Sequence, residues 1–292
     1  MKKTKKIAIT TDSNSGILPE EGKALDIFVV PMPFLVSGEP YLENVNLSQT
    51  EFYRLLAEDT QVSTSQPSLG EVSEFWTELL KEFDEIVHIP MSSGLSESCA
   101  AAQRLAKEFN GSVFVADNRR ISVTQKQSVY DAVKLREDGQ SAEQICEYLE
   151  KTAGDSSIYI AVDTMKYLKK GGRVTPAAAT IGTILRIKPV LSIRGAKLDK
   201  FALSRNTLKA KEVMKNAIKN DLTGEFASFV EKGEMALCVA HTSNEAGAKL
   251  FAEELQKLFP NVPLVYCDPL SLSVSCHIGP GSLAVACVRR VL

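Results

Sequence analysis

Two hydroxyl-rich runs carry the side chains best suited to chemistry. The first, Ser63-Thr64-Ser65-Gln66-Pro67-Ser68, contains no apolar residue. Pro67 disfavours helix at Gln66, so the run is extended or turned, and Ser68 is placed to cap a helix over 71–83. The second follows the apolar segment 86–89 and reads Ser92-Ser93-Gly94-Leu95-Ser96-Glu97-Ser98, leading into Cys99-Ala-Ala-Ala-Gln-Arg-Leu-Ala-Lys107. Strand, small-residue turn and helix in that order put backbone N–H groups and hydroxyls at a helix N-terminus, which suits a carboxylate or a phosphate. The plainer reading is that Ser93 or Ser96 merely caps the helix.

Three histidines are available for proton transfer: His88, His241 and His277. His88 sits inside an apolar strand and reads as a core residue with a satisfied ring. His241 ends a strand and is either structural or pocket-facing. His277 precedes Gly279-Pro280-Gly281, where glycine lets backbone approach a ligand closely. A Ser93/His277 nucleophile–base pair would support hydrolysis of acyl esters, although position nominates no acidic third member. Arg173, beyond Gly171-Gly172, is either a solvated side chain or an anion clamp. The G-x-S-x-G, Walker A, G-x-G-x-x-G and H-E-x-x-H signatures are absent. The six cysteines form no C-x-x-C pair, so reduced buried thiols are expected, and no metal.

These residues need a scaffold, and 292 residues are enough for two medium domains. A net charge of −2 offers nucleic acid no electrostatic attraction. The basic start is followed only by Ile7-Ala8-Ile9 before polar residues intervene, too short for a signal-peptide core, so a soluble cytoplasmic protein is expected. Strands are expected at 7–11, 27–33, 86–89 and 112–116, separated by helices at 48–58, 71–83, from Cys99, and around Val129–Leu135, with a further helix capped by Ser141. Connections too long for hairpins imply a parallel, doubly wound N-terminal sheet. The second half mixes hairpins and crossovers. Strands are expected at 158–162, 187–193, 197–205, 235–240, 262–266 and 283–288, and helices at 177–185, 208–218 and 246–259. The expected fold class is therefore α/β in two domains, 1–156 and an α+β domain 157–292, with a ligand cleft between them.

Thr11-Asp12-Ser13, Thr64-Ser65-Gln66-Pro67-Ser68, Ser92-Ser93-Gly94-Leu95-Ser96, Gly171-Gly172-Arg173-Val174, Ile187-Lys188-Pro189-Val190-Leu191 and His277-x-Gly-Pro-Gly281 occur together in this order. In that combination the chain resembles, over essentially its whole length, the DegV family of bacterial fatty-acid-binding proteins. The resemblance implies one long-chain fatty acid such as palmitate held between the domains, with no cofactor and no catalysis by the chain itself. It implies that Thr64 and Ser93 hold the carboxylate, Ser92 being able to exchange roles with Ser93, with Ser65 and Gly94 beside them. It places Arg173 and His277 near the head group or the partner surface. It also implies a carrier role: taking a fatty acid from a membrane surface in a transient contact and presenting it to a separate ATP-dependent fatty acid kinase, for phospholipid synthesis. One segment departs from the family pattern. Bulky residues occupy 118–127, where relatives have small residues and glycine, which either reshapes the acyl tunnel or alters a surface loop.

Overall fold

Ile7-Ala8-Ile9-Thr10-Thr11-Asp12 is buried along its whole length, as a strand covered on both faces must be. In the computed structural model, which describes residues 5–43, 45–58, 60–181, 187–195 and 197–292, this strand, β1 (Ile7–Asp12), is followed by β2 (Ile27–Val30). A small excursion comes next: β3 (Pro33–Val36), β4 (Glu39–Leu42) and β5 (Val62–Thr64). The chain then returns through β6 (Glu85–Ile89) and β7 (Val113–Val115). The second half supplies β8 (Ser156–Ala161), β9 (Lys188–Ile193), β10 (Asp199–Ser204), β11 (Met235–His241), β12 (Leu264–Pro269) and β13 (Leu283–Arg289).

Three sheets result. The first is parallel, in the order β2-β1-β6-β7. The second has the order β10-β9-β8-β13-β11-β12, antiparallel except where β11 runs parallel to β12. The third is the antiparallel β4-β3-β5. The fold is thus mixed α/β with a doubly wound parallel sheet and a separate mixed sheet, in line with the sequence pattern.

Period-two alternation sorts the side chains by face. On the parallel sheet, Ile7, Ile9, Val87 and Ile89 face the helices Val123–Glu137 and Ala142–Lys151, while Ala8 and Ile86 face Val72 and Trp76 of the helix Leu69–Leu79. On the mixed sheet, Leu237, Val239, Leu283, Val285 and Cys287 pack under the helices Thr207–Thr223 and Glu245–Leu258. The other face carries Ile158, Ile160, Ala240, Ala284 and Ala286, and meets Met91, Leu95, Ile121 and Val123 from the first half of the chain. That second face positions the site.

Three segments differ from the sequence reading. The single strand expected at 27–33 is divided after Val30, and its two parts enter different sheets. The Ser37-Gly38 pair, both with positive φ, closes the β3–β4 hairpin, the two-residue turn that matches strand twist. Between β12 and β13 a helix, Leu272–Ile278, carries His277 in a stretch the sequence pattern assigns to no element. The helix expected at 177–185 begins as Pro176–Ala179; its part at 182–185 lies outside the described residues. Among the described residues no helix is long and apolar enough to cross a membrane.

Candidate ligand-binding site

A cavity of about 280 Å³ lies between the alanine-floored face of the mixed sheet and the first half of the chain. Its walls are mostly apolar: Met32, Met91, Leu95, Ile121, Val123, Ile158, Ile160, Ile193, Leu198, Leu270, Val274, Ile278 and the alanines 240, 284 and 286. The register explains the floor. Ala240 pairs with Ala284, Ala284 with Ile160, and Ala286 with Ile158, so small side chains are flanked by isoleucines on the neighbouring strand.

Polar groups gather on the walls from several elements: Thr64, Ser65, Gln66, Ser96, Glu97, Arg173 and His277. The strand β5 delivers Thr64 by pairing it with Phe34. The helix Leu272–Ile278 delivers His277, whose Nε2 lies 3.0 Å from Thr64 Oγ1. First-half residues anchor that helix. Ser271 caps it and donates to Asn14 Oδ1 at 3.2 Å; Glu43 accepts from Leu272 N; Tyr53 donates to Ser275 Oγ at 2.9 Å. Burial, with a smaller contribution from the Arg173 charge, lowers the His277 pKa to about 4, so the ring is neutral at physiological pH. Arg173 follows Gly172, whose left-handed conformation ends the preceding helix; its guanidinium donates to Gly171 O and its carbonyl accepts from Leu198 N at 3.1 Å. A smaller hollow of about 200 Å³ shares Thr64, Arg173 and His277 with the cavity and is bordered by Lys166, Lys170 and Tyr167.

Of the residues expected to bind ligand, the structure brings together Thr64, Ser65, Arg173 and His277, and leaves Ser92, Ser93 and Gly94 off the cavity wall. The reason is local. The Ser93 hydroxyl is exposed and donates to Asp117 Oδ2 at 2.5 Å. Ser92 is buried, donates to Gly195 O at 3.3 Å and accepts from Gly94 N at 3.1 Å. The turn's N–H groups, expected to be free for an anion, are used internally: Met91 N by Asp12 Oδ2, Ser92 N by Arg120 O, Ser93 N by Asp117, and Leu95 N and Ser96 N by Ser92 O. Ser96 takes the wall position instead, and its oxygen accepts from Ser98 N at 3.2 Å. The helix starts at Ser98 with Glu97 at its cap position and no side-chain cap bond, so neither Ser93 nor Ser96 caps it.

A Ser93–His277 pair is not formed, because each side chain is engaged elsewhere. His88 is a core residue, held by Thr10 Oγ1 at 2.9 Å and set edge-on to Trp76. The glycines after His277 serve packing. A Cβ on Gly279 would lie 2.3 Å from the Tyr167 ring and one on Gly281 2.7 Å from Asp163, both at positive φ. The 118–127 segment is no surface loop: Ile121, Ser122 and Val123 form cavity wall.

A family model described as "Uncharacterised protein, DegV family" matches residues 6–290. The chain belongs to the DegV family. A DegV domain-containing protein of Deinococcus radiodurans is 30% identical over 283 residues, covering 96% of this chain and 97% of the relative. Among solved DegV structures, one from Bacillus subtilis described as a fatty acid binding protein superposes with a TM-score of 0.84 at 27% identity, covering 98% of this chain and all of the other. A Thermus thermophilus structure, described in terms of fatty acid binding of a DegV family protein, gives 0.85 at 27% identity, covering 97% and 99%.

Proposed function

We propose that this chain is a non-enzymatic carrier of one long-chain fatty acid, for example palmitate, bound between an N-terminal domain (1–156) and a C-terminal domain (157–292). The observation that carries the reading is the pairing of an apolar cavity with the Thr64–His277 hydroxyl–imidazole contact and Arg173. A carboxylate seated there accepts charge-assisted hydrogen bonds from Thr64, Ser96, Arg173 and one His277 N–H. The chain's hydrocarbon replaces water along the alanine floor, each buried methylene contributing about 0.8 kcal/mol. Binding of fatty acids by DegV relatives supports the same assignment.

A carboxylate seated at Thr64 and His277 would border the smaller hollow that shares those residues, so a partner could approach it there without withdrawing the tail. That suits a cytoplasmic carrier which loads in a transient contact with a membrane surface and offers its carboxylate to a separate ATP-dependent fatty acid kinase, feeding acyl-phosphate to phospholipid synthesis. The test is to extract the purified protein with organic solvent, identify any released acid by mass spectrometry, and titrate the emptied protein with palmitate. Stoichiometric binding is expected, and Thr64→Ala should weaken it roughly 10- to 100-fold, the loss of one hydrogen bond to a charged group. A protein that neither releases nor takes up a fatty acid would remove the proposal.

A further inference from the structure

The cavity wall carries two hydroxyls that the carboxylate seat does not use. Ser122 and Ser273 are both buried and both face the cavity. Neither hydroxyl hydrogen-bonds a protein group among the described residues, and each opens onto the cavity. Asn14 ties their surroundings together. Its backbone carbonyl accepts from Ser122 N at 3.1 Å. Its side-chain Oδ1 accepts from Ser271, the cap of the helix that carries Ser273. Ser273 and His277 lie four residues apart on the face of that helix lining the cavity, a separation of about 6 Å. The two hydroxyls therefore border the stretch where a bound chain has already run several methylenes past its carboxylate.

Ser122 also holds a costly backbone conformation, with φ 57° and ψ −136°. Its neighbours enforce it. Besides the bond to Asn14, Ser122 O accepts from Lys126 N at 2.8 Å, and the Thr124 hydroxyl donates to Ile121 O at 2.9 Å. Strain of this kind in a non-glycine residue persists where surrounding structure over-determines it, and it concentrates at ligand sites.

An unsubstituted alkyl chain lying here would displace water from both hydroxyls and leave them unpaired, which opposes binding. A hydroxyl on the chain can instead pair with such a serine, as donor or as acceptor. We infer that the ligand this cavity prefers is a fatty acid bearing a hydroxyl on its chain, several methylenes from the carboxylate, recognised by Ser122 and Ser273. The inference rests on the fatty-acid reading above and narrows it to a substrate class.

The test is calorimetric titration of the delipidated full-length protein with palmitic acid and a positional series of its monohydroxy isomers. At least one isomer should bind about tenfold more tightly than palmitic acid, equivalent to about 1.4 kcal/mol, with the preference confined to neighbouring positions. Ser273→Ala should reduce that preference. Ser122→Gly, which removes the hydroxyl while tolerating the positive φ, should reduce it further when combined with Ser273→Ala, and palmitic acid itself should then bind more tightly. Palmitic acid binding as well as every isomer, or a preference that persists in Ser273→Ala and in the double variant, overturns this inference and leaves the carrier reading standing. Failure of every acid to bind overturns both.

Discussion

The side chains around the cavity are set by what each can reach. His277 is neutral because burial disfavours its charged form, an effect that Arg173 reinforces. Between pH 6.5 and about 4 the unfolded chain takes up a proton that the folded ring refuses, so His277 makes the fold lose stability as pH falls through that window. A bound carboxylate would oppose that shift by favouring the imidazolium. Palmitate should therefore raise the His277 pKa, which NMR titration of the ring protons with and without ligand would reveal; an unmoved titration would place the carboxylate elsewhere. Ser96 and Ser93 make a matched pair of controls three residues apart. Ser96→Ala should weaken palmitate binding roughly tenfold through a lost charge-assisted hydrogen bond. Ser93→Ala, on the outer surface with Asp117, should bind as the parent does in the same titration.

At the scale of elements, the head-group side of the site depends on short pieces packed at close range. A Cβ on Gly171 would stand 2.2 Å from His277 Nδ1, closer than packed atoms approach. Gly171→Ala should therefore displace the imidazole, break its contact with Thr64 and lower palmitate affinity at least as far as Thr64→Ala does. Far-ultraviolet circular dichroism would confirm retained secondary structure, and a wild-type affinity would refute the tight contact. The longer elements were legible from sequence. The capping boxes at Ser68 and Ser141 and the buried runs of β1 and β6 carry strong local signals. The shorter ones were hidden. β5 is three residues long and is stabilised by pairing with β3 rather than by propensity, and the serine-rich helix Leu272–Ile278 is held by Glu43, Tyr53 and Asn14.

Over the whole molecule, Glu43 joins three parts that are distant in sequence: it accepts from Ser13 after β1 at 2.5 Å, follows β4, and accepts from Leu272 N at the start of the His277 helix. Burial, opposed by these two hydrogen bonds, raises its pKa to about 7. The groups facing it are Asp12, whose charge adds to the rise, and Tyr53. For a carboxyl raised in this way, the stabilising protonated form is fully present below the ordinary value near 4.5 and is lost as pH rises through 7. Denaturant unfolding measured from pH 4.5 to 8 should show a Glu43-dependent fall on the order of 3 kcal/mol. Glu43→Gln should flatten that fall, and an unchanged profile would mean that the junction does not titrate. Lys126 makes a second tie between the halves, bonding Asp268 on β12 of the mixed sheet and Glu21 near the parallel one, each at 3.0 Å.

The sequence alone determined the fold class and the long strands and helices, because periodicity and caps are encoded within a few residues of one another, and its ordered motifs pointed to the family. Tertiary structure decided which serine faces the cavity. Ser92, Ser93 and Ser96 are chemically alike, and only Asp117, Gly195 and Arg120, brought in from 24 or more residues away, draw the first two off the cavity wall. It likewise decided that residues 121–123 line the cavity rather than a surface loop. Such choices follow from competition among distant partners for the same donors and acceptors, and that competition exists only once the chain has folded.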